Sequence, residues 1–340
     1  MNTLVAHAVE SAPAAPSWAG VVTSWEPVWG ITIAIAVVAG VYLLAVVAVA
    51  RRHPRNRWPV VRTLAFLLGL FVVAYATQGI VAVYDEVLFS MHMAQHLLLI
   101  MIAPPLLVFG RPITLALHAT RNPWHRRIKA LVRSGPVSVL TWAPVATAVY
   151  VAVVVGTHLT GFMNVVLRNS FVHDGEHVLY LVSGYLFFLP IVGSEPLRHR
   201  LSIGGRYALL VLTMPVDTFV GVVLMMYPHE IFPAYAATGR TWGQSPLGDL
   251  HTGGAAMWIG GDAVMAALIL LVTITLVRGR DQRPVFGTWV ERARAQTLQD
   301  HLDRAGVADQ PRRRATVDDD AHLSAYNAYL ASLSSRERSD

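Results

Sequence analysis

Four histidines carry the chemistry that this sequence can offer. His92 and His96 form one pair, and His173 and His177 form a second. Each pair is spaced i,i+4, so on a helix both rings share a face with side chains about 6 Å apart. Two imidazoles at that spacing can bind one metal ion, or two ions one turn apart. A neutral imidazole needs little deprotonation to ligate at pH 7. The chain contains 14 His and 10 Met but no Cys. A thiolate site, an iron–sulfur cluster, a Cys nucleophile and a disulfide framework are therefore excluded. Imidazole with thioether, and without thiolate, suits copper, with Cu(I) expected, better than zinc, calcium or magnesium. Met91 and Met93 flank the first pair, but i±1 side chains point elsewhere, so at most one of them joins it.

Elements able to hold these residues follow from composition. Of 340 residues, 54% are hydrophobic and 14% are charged. Charged residues make up about a quarter of an ordinary soluble domain, so this chain lacks the polar shell of a soluble globule. A soluble enzyme, a nucleic-acid-binding module and a disordered chain are excluded. A polytopic membrane protein remains. Seven apolar runs approach the ~20 residues that a spanning helix needs: Trp29–Ala50, Val60–Val83, Val87–Phe109, Val137–His158, Phe171–Val192, Tyr207–Met226 and Gly254–Val277. Residues 1–28 form an extracytoplasmic segment without the pattern of a removed signal peptide, 29–277 the transmembrane domain, and 278–340 a polar cytoplasmic tail.

Positive charge sets the expected orientation. Arg-rich segments follow runs one, three, five and seven ("RRHPRNRWP", "RNPWHRRIKALVRSG", "EPLRHRLSIGGR", "RGRDQRP"), while the alternate loops are nearly free of basic residues. The N-terminus is therefore expected outside and the C-terminus in the cytoplasm. The net charge of +6 is then topological. In the tail, Leu323, Tyr326, Leu330 and Leu333 share a helical face, which suggests a short amphipathic helix.

In this topology the intramembrane ionisable residues gather in the outer leaflet. Such residues are costly in a bilayer and commonly mark function. His96, His177, Asp217 and Asp262 fall roughly 9–14 Å below the outer surface. His92, His173 and Met257 lie about a turn above them. Met214, Met225, Met226 and Met257 are candidate thioethers or packing residues. Asp217 and Asp262 are candidate ligands or partners that orient the histidines. His158 and His251 are expected at the outer rim, on an access path or as interfacial residues. Pro104–Pro105 and Pro215 interrupt runs three and six. The glycine pairs Gly253–Gly254 and Gly260–Gly261 let run seven approach a neighbour closely.

The segments "MHMAQHLLLIMIAPPLLVFGRP", "HDGEHVLYLVSGYLFFLPIVGSEP", "MPVDTFVGVVLM" and "GGAAMWIGGD" together resemble the CtaG family. These are seven-helix assembly factors for caa-type cytochrome c oxidases. The resemblance runs from about Trp29 to Val277, and the tail segment "AYNAYLA" is similar to tails of actinobacterial members. It implies a multi-pass protein of the bacterial plasma membrane that helps mature the oxidase, with copper insertion as its role. Its motif histidines correspond to His92, His96, His173 and His177, and no role carries over to His251. Oxidase subunits, membrane lipid and a copper donor on the outer side are the implied partners. Two other functions are compatible with the residues. Histidines from two helices can ligate a b-type haem, and a copper transporter would use the same ligands but needs polar groups across the whole membrane. No nucleophile or phosphate-loop pattern marks an enzyme. A retinal Schiff base is excluded because the sole lysine, Lys129, lies in a cytoplasmic loop.

Overall fold

The computed structural model describes residues 14–55, 57–192 and 195–280, without the side chains of 275–280. The chain divides into two compact units, Met1–Val272 and Thr273–Asp340, and the description below concerns the first. The expected tail helix lies outside the described residues. The described residues form helices and turns with no strand. Uniformly apolar sequence is satisfied in lipid only when every backbone group is paired within the segment, and a helix does this.

The principal helices are α1 (Trp29–Arg52), α2 (Val60–Gln78), α3 (Phe89–Ala119), α4 (Ala143–His158), α5 (Ser170–Val192), α6 (Ile203–Met226) and α7 (Pro246–Arg280). Six of these, all but α4, are long and apolar enough to cross a membrane. The fourth apolar run is divided: Gly135–Leu140 forms a separate short helix, and α4 begins at Ala143 with Pro144 in its first turn. Proline is accepted there because the first helical N–H groups have no partner within the helix.

At the centre, α3 packs against α2 on one side and α5 on the other, and α4 packs against α5 and α6. Its middle is irregular. A π-helical turn, Leu98–Ile102, precedes Pro104 and Pro105. Neither proline has an N–H for the carbonyl four residues back, so the Ile100 and Met101 carbonyls lose their usual donors. The wider turn re-pairs the backbone one residue farther on, with Ala103 N–H reaching the Leu98 carbonyl. The freed Ile100 carbonyl faces Gly184 of α5, where an added Cβ would collide with it. A second close crossing joins α6 to α7, where a Cβ on Gly221 or Gly254 would sit 2.7 Å from the other's carbonyl oxygen. The glycine pairs of run seven are thus used for close approach. Pro215, by contrast, lies inside an unbroken α6.

Two carboxylates anchor the ends of α3. Asp249, from α7, accepts from the Phe89 backbone N–H at 2.7 Å and from the Ser90 hydroxyl at 2.5 Å. This caps the first turn of the helix that carries His92 and His96. At the other end, Glu195 accepts from the backbone N–H groups of Ile113 (3.2 Å) and Thr114 (2.8 Å), and from the Thr114 hydroxyl. These N–H groups open the short helix Pro112–Ala119, which follows a break at Arg111, whose φ of 50° is left-handed.

Candidate metal centre

His92 and His96 lie in the first two turns of α3, and His173 and His177 in the first two turns of α5. Packing of α5 on α3 brings the two pairs together. The His92 and His173 rings stack with centroids 5.3 Å apart and planes 12° apart. His96 lies 4.3 Å from His92 by ring centroids, and His177 lies 4.6 Å from His173.

Two carboxylates complete the cluster. Glu176 is 1% exposed and faces α3, with its Oε1 3.4 Å from His96 Nε2 and its Oε2 3.5 Å from His92 Nε2. Asp85, in the turn before α3, places Oδ2 3.6 Å from His173 Nε2 and accepts from Gln95 Nε2 at 2.7 Å. Burial pushes the Asp85 carboxyl up to about 7, against the lowering effect of nearby His92. The neighbouring Glu86, with a side chain 69% exposed, reaches within 3.9 Å of His173 Nδ1.

These contacts are too long to satisfy the groups that make them. Charge-assisted N–H···O bonds run about 2.7–2.9 Å. No hydrogen-bond partner is present for both ring nitrogens of His92 and His177, Nε2 of His96 and His173, or either Glu176 oxygen, and all are buried. An unsatisfied buried polar atom costs about 1–3 kcal/mol, and a charged one more. A concentration of such atoms on the first turns of two helices is what a cation would relieve.

The tautomers sharpen this. The Val154 carbonyl accepts only, so His158 Nδ1, 2.8 Å away, carries the proton. Neutral His158 then accepts at Nε2, and His96 Nδ1, 3.3 Å away, donates to it. His96 therefore presents a bare Nε2 lone pair to the Glu176 carboxylate. A cation between them makes that arrangement favourable. The His96 ring also stacks on Tyr180 at 3.9 Å, and the Tyr180 hydroxyl shares a 2.5 Å hydrogen bond with Thr157 Oγ1, which holds the ring plane. Histidine ligands are commonly oriented in this way by a hydrogen bond at the other nitrogen.

Sequence reasoning singled out the four histidines but missed Glu176, Asp85 and this role of His158. Glu176 was detectable as a charged residue inside an apolar run. Asp85 carried no signal, because only the folded turn returns it to His173. His158 was expected at the rim; it is 2% exposed, beneath the cluster against His96.

The remaining candidates lie elsewhere. Asp217 pairs with the Tyr150 hydroxyl at 3.0 Å, and Asp262 accepts from Thr218 at 3.1 Å and Trp258 Nε1 at 2.9 Å. His251 Nε2 contacts the Tyr227 carbonyl at 2.9 Å, and Met214 packs against the core. On the inner side of His96 lies a cavity of about 20 Å³, bounded by Met93, Met101, Met257 and Asp217. It has room for about one water molecule.

An uncharacterized protein of Mycobacterium bovis and one of Mycobacterium tuberculosis are each 31% identical over 96% of the chain, which covers 47% of theirs. An uncharacterized protein of Mycobacterium leprae is 31% identical over 90% of the chain and 44% of its own length. The chain thus spans about half the length of the curated relatives it matches. No solved structure matches it. The profile of the Caa3_CtaG family, described as cytochrome c oxidase caa3 assembly factor, matches residues 40–279, including every residue of the histidine–carboxylate cluster. The chain belongs to the cytochrome c oxidase caa3 assembly factor family.

Proposed function

We propose that this protein is a membrane-embedded assembly factor that holds copper at the histidine–carboxylate cluster and passes it to a cytochrome c oxidase subunit. The observation that carries the proposal is the set of buried, unpartnered donors on His92, His96, His173, His177 and Glu176. A fold that leaves so many polar atoms unsatisfied in one place gains when a cation binds there. Imidazole is a good copper ligand, and Met93 and Met257, which line the cavity beside His96, are candidate thioethers. Cu(I) is the form favoured by those thioethers. The role is carriage rather than catalysis.

The family match supports the oxidase as the recipient. In the proposed topology α4, with the short helix before it, completes seven spans. The N-terminus is outside and the C-terminus cytoplasmic, in a bacterial plasma membrane. The Arg-rich segments between α1 and α2, between α3 and α4 and between α5 and α6 support this orientation. The cluster then opens outward, where a copper donor and the oxidase can reach it. Because the chain has no cysteine, single cysteines introduced at Ser134 and Thr160 report sidedness cleanly. Labelling of Thr160→Cys but not Ser134→Cys from outside is the expected result.

A b-type haem ligated by the same histidines is the competing reading. The close packing of the rings, with neighbouring centroids 4.3–5.3 Å apart, favours an ion over a porphyrin. Copper analysis of the purified protein decides the matter. Wild type is expected to retain copper and the His96→Ala/His177→Ala variant to lose it. Equal copper in both would overturn the proposal, and a Soret band stoichiometric with protein would replace it with the haem reading.

A further inference from the structure

The six donors do not converge on one point. One ligand atom each from His92, His96 and Glu176 lie within 4.8 Å of one another, and one each from Asp85, His173 and His177 do the same. Among the described residues, no such group combines the two sets. The reason lies in the stacked rings between them. An imidazole nitrogen offers its lone pair in the plane of the ring. The His92 and His173 planes are nearly parallel, 12° apart, with centroids 5.3 Å apart. Lone pairs in two stacked parallel planes do not meet at one ion.

We propose that the cluster holds two metal ions side by side: an inner one on His92, His96 and Glu176, and an outer one on Asp85, His173 and His177, with the outer position serving as the exchange port. This rests on the metal-binding reading above and divides that site. Each set supplies two imidazoles and one carboxylate, a borderline donor set suited to Cu(II) or Zn(II) as well as copper in its reduced form.

Exposure orders the two positions. The side chains of His92 and Glu176 are 0% exposed, that of His173 is 10% exposed, and Glu86 beside it is 69% exposed. A cation arriving from solvent meets Glu86 first, then Asp85 and the His173/His177 pair, and reaches Glu176 only past them. The inner ion sits over His158, which orients His96. The outer set has no comparable brace, as expected where ligands must exchange.

The test is metal stoichiometry of the full chain in detergent, loaded with Cu(II) or Zn(II) and washed. Wild type is expected to hold two ions per chain, His177→Ala one, Glu176→Gln one, and the double variant none. Unchanged thermal unfolding of the metal-free variants would show that they fold. Asp85→Asn provides a second outer-site variant. In Cu(II)-loaded wild type, spin–spin broadening of the EPR signal is expected, and either single variant should give an isolated-ion spectrum. One ion in wild type, lost completely in each single variant, would overturn the two-ion assignment while leaving metal binding intact. No ion in wild type would overturn metal binding itself. Glu86→Ala should slow extraction of the outer ion by a chelator severalfold, and an unchanged rate would overturn the port.

Discussion

Glu176 and Glu195 are both buried, at 1% and 3% exposure, and both lie on or beside α5. Their surroundings are opposite. Glu195 accepts from two backbone N–H groups and a hydroxyl, and so caps the first turn of the Pro112–Ala119 helix. Glu176 has no hydrogen-bond partner on either oxygen, and the His92 and His96 Nε2 atoms 3.5 and 3.4 Å away are in the same condition. The first is a carboxylate serving the fold. The second is one that the fold tolerates, at a cost to stability. Buried polar groups in native proteins are nearly always satisfied, so a cluster of exceptions points to a ligand rather than to packing.

Four substitutions test this contrast. The largest effect is expected from Gly184→Leu, which drives a side chain into the Ile100 carbonyl and the Pro104 ring. Overpacking against backbone that cannot move should cost at least ~3 kcal/mol. It should show as loss of folded protein on size-exclusion chromatography. Wild-type yield would mean that the α3–α5 contact does not assemble the cluster.

Glu195→Ala comes next. It leaves the Ile113 and Thr114 N–H groups without their acceptor, at about 1–3 kcal/mol. Thermal unfolding should fall accordingly, while metal bound per folded chain stays unchanged. Metal loss in parallel would erase the distinction between the two glutamates.

His158→Phe keeps a ring beneath His96 and removes the acceptor for its Nδ1–H. Metal affinity is expected to drop about 10–100-fold, read by competition with a chelator. Unaltered affinity would remove His158 from the site. The smallest effect on stability is expected from Glu176→Gln in the metal-free protein. Removing an uncompensated buried charge should leave stability unchanged or raise it by about 1 kcal/mol. A clear loss of stability would show that Glu176, like Glu195, serves the fold.

Much of this architecture was legible in the chain. Run five, Phe171–Val192, matches α5, Ser170–Val192, within a residue. Length and apolarity suffice for such a span, because lipid leaves the backbone no alternative to the helix. Run four was less legible. Hydropathy averages over the Thr141–Trp142 break before Pro144, so it reported one run where the structure has two helices. Run three concealed its π turn for the same reason: apolarity is blind to which carbonyl a proline releases. Within the cluster, spacing found the histidine pairs because i,i+4 is a local relation. It could not find Asp85 or identify Glu176 as the partner of His92 and His96, because those contacts join separate elements.

By itself, then, the sequence determined that the chain is helical, that most of its apolar runs can span a membrane, and that each histidine pair shares a helix face. These follow from backbone satisfaction in lipid and from 3.6-residue periodicity, both properties of a single segment. The tertiary structure alone decided the rest. Gly184 admits α5 against the freed Ile100 carbonyl, and that approach sets Glu176 opposite His92 and His96. The end of α4 places His158 under His96 and assigns its proton. Whether two carboxylates meet four imidazoles depends on the rotation and depth at which separate helices pack, and those are set by side-chain fit between segments distant in the chain.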